Sequence, residues 1–247
     1  MPYALRHGLF AFGVWRRAFD VHAMTLLTRI FWLALRDLTL ELRGRTGLLA
    51  AVFFLFTMLL ILGLALGPNQ DELRKAAPGV LWVALAFAGS LLAGRAFGLE
   101  VEDNTLDDLL LIPGSREWIY YGKLLFQLLL LLAVGLVLLF LTAGLFYLPL
   151  ATLPGILVTL VLGSVGYASV STFYAGMLAR LRGREALLPL VLFPVVVPVI
   201  LASVRATTLL MEGLPLGEVA EWWRLLLVFD VIYLTLCGLL FPYVLEG

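Results

Sequence analysis

Long stretches without any ionisable side chain constrain this chain more than any other feature of its sequence. Asp, Glu, Lys, Arg and His are absent from five runs of residues: 46–70, 76–94, 124–179, 186–204 and 231–245. A helix needs roughly 20 apolar residues to cross the hydrocarbon core of a bilayer. With 62% hydrophobic and only 14% charged residues, the composition argues against a water-soluble domain. We therefore expect an all-α polytopic membrane protein.

The third and the last of these runs must be resolved into spans before the helices can be counted. At 56 residues, the run 124–179 is too long for one crossing, and Pro149, Pro154 and Gly155 favour a turn near its middle. The last run is long enough only when the helix starts near Leu225. We predict six transmembrane helices, at about 47–67, 78–98, 124–148, 154–179, 186–204 and 225–244.

The distribution of Lys and Arg predicts the orientation of these helices, because basic residues accumulate on the cytoplasmic side. With the N-terminus inside, thirteen of the 17 basic residues fall on the inner side, and the outer side holds only Arg74, Lys75, Arg205 and Arg224. We therefore expect both termini in the cytoplasm.

The segment before the first span carries its own helical pattern. Within residues 30–45, apolar side chains recur on one helix face, at Phe31, Leu35, Leu38 and Leu42. This spacing favours an amphipathic helix that lies in the membrane interface. The alternative is that these residues form the polar beginning of the first span.

The chain divides into three parts on this interpretation. Residues 1–29 form an N-terminal extension of doubtful status, in which Met24 is a plausible alternative start. The interfacial helix follows at 30–45. Residues 46–247 form the six-helix transmembrane domain, with a cytoplasmic loop at 99–123 between its second and third spans.

The sequence lacks the common motifs for catalysis and for nucleotide or metal binding. No G-x-x-x-x-G-K-[ST] phosphate loop, H-E-x-x-H or G-x-S-x-G motif occurs, and the two histidines are His7 and His22. The lone Cys237 excludes thiolate metal cages, and a formal net charge of zero argues against nucleic acid. We expect no enzyme activity and no metal site, so that any powered transport requires a separate ATPase.

The loop between the second and third spans contains a short amphipathic pattern. Residues 103–104 can cap a helix, because a short side-chain oxygen accepts from the first amides. Leu106, Leu109 and Leu110 then share one face, and Pro113 marks the end. Such a short helix is marginal alone, so its leucines must pack on something. They pack either on the membrane face of this chain or into a groove of a cytoplasmic partner.

The same loop resembles that of the CcmB family, the permease subunits of the cytochrome c maturation system and a branch of the ABC exporter permeases. Members carry the pattern F-x-x-E-x-E-x-x-x-L-D-x-L-L-L-x-P-x-x-R-x-x-I-Y-x-G-K. In this chain the pattern is filled by Phe97, Glu100, Glu102, Leu106, Asp107, Leu109, Leu110, Leu111, Pro113, Arg116, Ile119, Tyr120, Gly122 and Lys123. Further matching stretches lie at 36–41, 77–82 and 188–198, and the resemblance covers about residues 30–247.

The resemblance implies a type-2 ABC exporter permease in the inner (plasma) membrane, which helps to deliver haem to a periplasmic haem chaperone or to release the loaded chaperone. The implied partners are an ABC ATPase that binds ATP, a haem-handling membrane protein, a small single-span subunit, the chaperone and a second copy of this chain. Haem is then the cargo of the complex, and this chain binds no cofactor. Contact with the ATPase would fall to Glu100, Glu102, Asn104, Leu106, Asp107, Leu109, Leu110, Pro113 and Arg116.

Two further sets of residues are candidates for function. Arg180, Arg182 and Arg184 lie between the fourth and fifth spans, where they either follow the positive-inside bias or make a second cytoplasmic contact. Asp230 lies six residues after Arg224, hence about 9 Å below the outer surface at about 1.5 Å per residue. An acid within the membrane is a functional candidate, and a paired structural role is its alternative.

Two other functions stay open at this point. The chain could be a type-2 ABC permease that exports another substrate, such as a lipid, a polysaccharide or a drug. It could also be a membrane scaffold that only positions the haem-handling subunit.

Overall fold

Helices account for all the regular secondary structure in the part of the chain that the structure describes. This computed structural model describes residues 26–44, 46–102, 117–181 and 183–246. The helices are α1 (Leu26–Gly44), α2 (Thr46–Leu66), α3 (Gln70–Ala93), α4 (Gly98–Glu102), α5 (Glu117–Leu145), a 3-10 turn (Leu150–Thr152), α6 (Leu153–Leu178), α7 (Arg184–Met211) and α8 (Leu216–Glu246). Six of them, α2, α3, α5, α6, α7 and α8, are long and apolar enough to cross a membrane. The prediction of six spans is confirmed, and the chain is a multi-pass membrane protein.

The long uncharged run 124–179 forms two helices, as predicted. Helix α5 ends at Leu145, the chain turns through Pro149, and α6 starts at Leu153 after the 3-10 turn. Tyr147 takes the left-handed backbone conformation in this turn, with φ at 56°. The Thr152 hydroxyl donates to the Pro149 carbonyl over 2.7 Å. The two prolines thus stand at the connection, where a missing backbone donor costs little.

Helix α3 begins at Gln70, eight residues before the predicted start of the second span. The Asn69 side chain caps it by accepting from the Asp71 amide at 3.1 Å. Asp71 and Glu72 stand in the first turn, where the positive end of the helix dipole favours negative charge. The charged residues assigned to an outer loop therefore belong to the helix.

The outer connection between α7 and α8 is much shorter than predicted. Helix α7 continues to Met211 and α8 begins at Leu216, so only a turn around Gly213, with φ at 73°, remains of the expected segment. The indole of Trp223 donates to the Thr159 hydroxyl at 2.9 Å. Packing of this kind against α6 makes the polar beginning of α8 helical. Asp230 then lies near the middle of its helix rather than close to the outer surface.

The face of α1 that packs on the protein overlaps its apolar stripe only in part, at the half-buried Leu38. The side chains of Leu33, Ala34 and Asp37 are buried, and α1 packs on α5. Phe31 and Leu35 of the predicted stripe are exposed instead. Since lipid favours an apolar outer surface, the stripe suits contact with the bilayer. The location of α1 in the membrane interface stays a prediction.

Four of the other five long helices pack on α3. This helix contacts α2, α5, α6 and α7, and its small residues, such as Ala84, Ala88 and Gly89, allow close approach. Helix α2 packs on α3 and α5 and leaves large apolar side chains exposed, including Phe53 and Leu64. Its exposed surface is suited to lipid.

One end of the bundle collects most of the described basic residues. We call it the arginine-rich end; it holds Arg29, Arg36, Arg43, Arg95, Lys123, Arg180 and Arg184. The opposite end holds Arg74, Lys75, Arg205 and Arg224. Helix α5 begins at this first end with Glu117, seven residues before the predicted start of its span. The cytoplasmic location of the arginine-rich end stays a prediction.

Candidate functional site

Lys123 is fully buried at the arginine-rich end, in the second turn of α5. Its ammonium nitrogen lies 2.8 Å from Asp37 Oδ2 and 2.7 Å from Glu100 Oε1. It also donates to the Ala96 carbonyl over 2.7 Å. The ammonium group therefore makes hydrogen bonds with Ala96 and Glu100 and an ion pair with Asp37. The lysine is thereby tied to α1, to the end of α3 and to α4.

Arg36 covers this arrangement from the more exposed side. Its guanidinium lies 3.3 Å from Glu100 Oε1 and 3.6 Å from Asp37 Oδ1. The Phe97 ring lies beneath the lysine, with its centroid 5.0 Å from the ammonium nitrogen. Two cations thus face two carboxylates over an aromatic ring. We call Arg36, Asp37, Glu100 and Lys123 the ionic cluster.

The pKa values of the two carboxyl groups in the ionic cluster shift in opposite directions, although burial acts on both in the same sense. Burial raises the pKa of Asp37, and the nearby Glu100 adds to this effect against the attraction of Lys123. Burial also opposes ionisation of Glu100, but Lys123 and Arg36 outweigh it and lower the pKa of that carboxyl. Glu100 is therefore the firmly ionised partner of Lys123, and Asp37 is the carboxyl that takes up a proton first as the pH falls.

The local sequence explains why these side chains converge. Asp37 follows Leu33 by four residues, which places both on the buried face of α1. On the same helix, Glu41 accepts from the Leu48 amide at 3.0 Å and so satisfies an amide in the first turn of α2. Ala96 and Phe97 form the turn after α3, and this turn directs Glu100 towards α5.

The ionic cluster holds both flanks of the segment 103–116. This segment follows α4, which carries Glu100, and it precedes α5, which carries Lys123. Breaking a buried pair by removal of one partner is strongly destabilising, because the other charge is left without compensation. The ionic cluster therefore links the two flanks of the segment to each other and to α1.

The predicted ATPase-coupling residues are only partly within the described ranges. Glu100 belongs to the ionic cluster, and the backbone of Glu102 ends α4. The remainder lie outside the described residues: Asn104, Leu106, Asp107, Leu109, Leu110, Pro113 and Arg116. The predicted helix at this segment stays a prediction.

The predicted arginine contact and the intramembrane acid lie apart from the ionic cluster. Arg180 is exposed, and Arg182 is outside the described residues. Arg184 donates to the Ala179 carbonyl at 3.3 Å and lies near Gly98 of α4. Asp230 is buried among α6, α7 and α8.

Sequence reasoning did not identify Arg36, Asp37 and Lys123 as site residues, although all three occur in the stretches that carry the family resemblance. The available signal was an acid off the apolar stripe of α1, together with a lysine at the edge of a long apolar run. Only the packing of α1 on α5 brings the two together.

Known proteins resemble this chain over most of its length. Residues 28–246 match the family described as CcmB protein. Heme exporter protein B of Rhodobacter capsulatus is 32% identical over 183 residues, covering 72% of this chain and 82% of the relative. The protein of the same name from Paracoccus denitrificans is 33% identical over 179 residues, covering 70% and 80%. That of Pseudomonas aeruginosa is 27% identical over 200 residues, covering 79% and 88%.

Proposed function

The chain belongs to the CcmB family, and on this premise we propose that it is the inner-membrane permease subunit of an ABC-type haem exporter that serves cytochrome c biogenesis. Its relatives carry the name heme exporter protein B and match it over most of their length. Six membrane-spanning helices suit a permease. The sequence lacks a phosphate loop, so ATP hydrolysis belongs to a partner subunit.

The observation that carries this proposal is the attachment of both flanks of segment 103–116 through Lys123. A permease must convert movement of an ATPase into movement of membrane helices. The 2.7 Å pair between Lys123 and Glu100 joins the start of α5 to α4, and the 2.8 Å contact with Asp37 adds α1. We infer that an ATPase which presses on this segment moves α1, α3 and α5 as one unit.

The partners and the cargo follow from the family. The complex contains two copies of this chain, an ABC ATPase, a haem-handling membrane protein and a small single-span subunit, and it acts with a periplasmic haem chaperone. Haem is the cargo, ATP is bound by the ATPase, and this chain holds neither as a resident cofactor. The absence of histidine after His22 supports this division of labour, because histidine is a frequent haem ligand.

Deletion of the gene, followed by measurement of covalently attached haem in cytochromes c, tests the proposal. We expect loss of holo-cytochrome c and its return when the chain is supplied from a plasmid. Normal holo-cytochrome c in the deletion strain contradicts the proposal and favours a permease for another substrate. A chain that still supports cytochrome c assembly beside an ATPase inactivated in its nucleotide site acts as a scaffold instead.

A further inference from the structure

Asp230 lies near the middle of its helix and is enclosed by α6, α7 and α8. Its side chain is 4% exposed. A Cβ atom added to Gly166 would stand 2.5 Å from Asp230 Oδ1 and 3.3 Å from the Val199 side chain. Gly166 is near the middle of α6, Val199 near the middle of α7, and Asp230 near the middle of α8. The carboxyl group of Asp230 therefore lies level with the middle of all three helices.

No described cation compensates Asp230. Its Oδ1 atom has no hydrogen-bond partner among the described residues, and none of the described basic side chains forms an ion pair with it. Arg205 of α7 and Arg224 of α8 are exposed towards the outer end of the bundle. An ionised carboxylate without a partner is expensive to keep in an apolar interior.

Three phenols on the neighbouring helices make contacts with groups other than Asp230. Tyr167 of α6 donates to the Ala86 carbonyl at 2.5 Å, and Tyr121 of α5 donates to the Leu234 carbonyl at 3.4 Å. Tyr233 of α8 stacks on Phe229, with ring centroids 4.1 Å apart. On the α7 side the facing residue is Val199, which is apolar. None of these groups supplies a positive charge.

The small cavity that the described residues form between α3, α6 and α7 does not include Asp230 in its lining. One turn before Gly166, the position of Gly163 is approached by the Ser203 hydroxyl and the Trp82 ring. A cavity of about 10 Å³ lies there, lined in part by Trp82, Gly163 and Val199. Such a volume holds at most one water molecule.

We propose that Asp230, near the middle of its helix, is a proton-binding site, which carries its proton while α8 is packed on α6 and releases it to water when the two helices separate. Protonation removes the charge, and the neutral acid fits against Gly166. Because the packed state binds one proton more than a state with a hydrated Asp230, acidification favours packing of α8 on α6 and alkalinisation favours separation. This coupling is independent of the identity of the exported substrate.

Equilibrium unfolding of the full-length chain in mixed micelles, measured by SDS titration between pH 5 and 7, tests this linkage. We compare the folding equilibrium constant of the wild type with that of Asp230→Asn at each pH. Their ratio should fall by up to about tenfold for each unit that the pH rises, since one proton is released on unfolding. Asp230→Asn keeps a neutral side chain of the same shape. The matched control is Glu218→Gln, the same change at an exposed position of α8, which should leave the pH profile parallel to the wild type.

A hydrophobic carbodiimide supplies a second readout, because it forms a stable N-acylurea with a protonated carboxyl group in an apolar setting. We expect mass spectrometry of membranes treated at pH 7 to find the adduct on Asp230 and to find none at that position in Asp230→Asn. Parallel pH profiles of wild type and Asp230→Asn overturn the proposal, and so does the absence of the adduct between pH 5 and 8. Stabilisation of the wild type by Na⁺ at constant pH and ionic strength also overturns it, because the site then holds a metal cation.

Discussion

Lys123 is the residue on which the ionic cluster depends most, because it is more deeply buried than Arg36 and lies closer to both carboxylates. Replacement by methionine keeps the length of the side chain and removes the charge. Asp37 and Glu100 then remain buried with only the half-exposed Arg36 nearby. The ammonium group is buried and paired with two buried carboxylates, so the loss falls in the range typical of broken buried ion pairs.

Lys123→Met should therefore destabilise the chain by about 3–5 kcal/mol. Thermal unfolding in detergent measures this as a fall in melting temperature of roughly 2–4 °C for each kcal/mol. Lys75→Met is the matched control, because Lys75 is exposed at the opposite end of the bundle and should tolerate the change. Equal melting temperatures for Lys123→Met and wild type would show that the ionic cluster does not hold the helices.

The lowered pKa of Glu100 predicts that the stability of the folded chain depends on pH. Its pKa in the folded chain lies below the ordinary value of 4.5. A depressed folded pKa gives stability that is present above the ordinary value and is lost as the pH falls towards the lower one. The wild type should therefore lose more stability than Glu100→Gln as the pH falls below about 4.5. Unfolding curves of both proteins between pH 6 and 3 measure the difference, and parallel curves would contradict it.

Among the helices, α6 depends most on close contacts at glycine. A Cβ atom at Gly176 would stand 2.5 Å from the Phe241 ring. That ring is fully buried and packs on Tyr120 and Phe97, with centroids 5.3 and 6.1 Å away, so it cannot easily move aside. The contact joins α6 and α8 to the aromatic residues beneath the ionic cluster.

Gly176→Ala should cost about 1–3 kcal/mol, the range typical of an overpacked interior. Gly144→Ala is the control, since Gly144 is helical and nothing lies within 4 Å of its added Cβ atom. The control should be neutral or slightly stabilising, because alanine is the better helix former. Unfolding by SDS titration compares the two variants. Equal stabilities would mean that α8 shifts away from α6 without loss.

The amphipathic segment 103–116 carries a prediction about binding rather than stability. If the leucines seat in a groove of the ATPase, Leu110→Asp places an unpaired charge in an apolar contact, at a cost of several kcal/mol. The chain should reach normal abundance in the membrane, since the sequence predicts this segment to lie outside the six spans, but should no longer retain the ATPase on purification. Retention of the ATPase at wild-type yield would indicate that these leucines pack on their own chain instead. Leu214→Asp, at an exposed position in the opposite connection, is the control.

Across the whole molecule, the separation of basic residues between the two ends predicts topology. Reporter fusions after Leu150 and after Glu212 should report the periplasm, because both positions lie at the end opposite to the arginine-rich end. Fusions after Gly183 and after Gly247 should report the cytoplasm. An alkaline phosphatase signal at Gly183 with none at Leu150 would show that the orientation is the opposite of the one predicted.

The number of spans and the family could be read from the amino-acid sequence. Charge-free runs indicate where a chain can enter lipid, because an unpaired charge is expensive in the hydrocarbon core. The motif that runs from Phe97 to Lys123 carried the resemblance to the CcmB family. Both features are properties of local sequence, and no distant contact is needed to recognise them.

The ends of the helices and the members of the ionic cluster were decided by tertiary structure. The helical beginnings of α3 and α8 contain charged residues, and the Asn69 cap and the contact of Trp223 with α6 make them helical nonetheless. Asp37 and Lys123 are 86 positions apart in the chain. Whether such residues compensate each other's charge depends on which helix faces come together. In a membrane protein the pattern of apolar residues does not reveal which faces meet, because lipid and protein interior both accept apolar side chains.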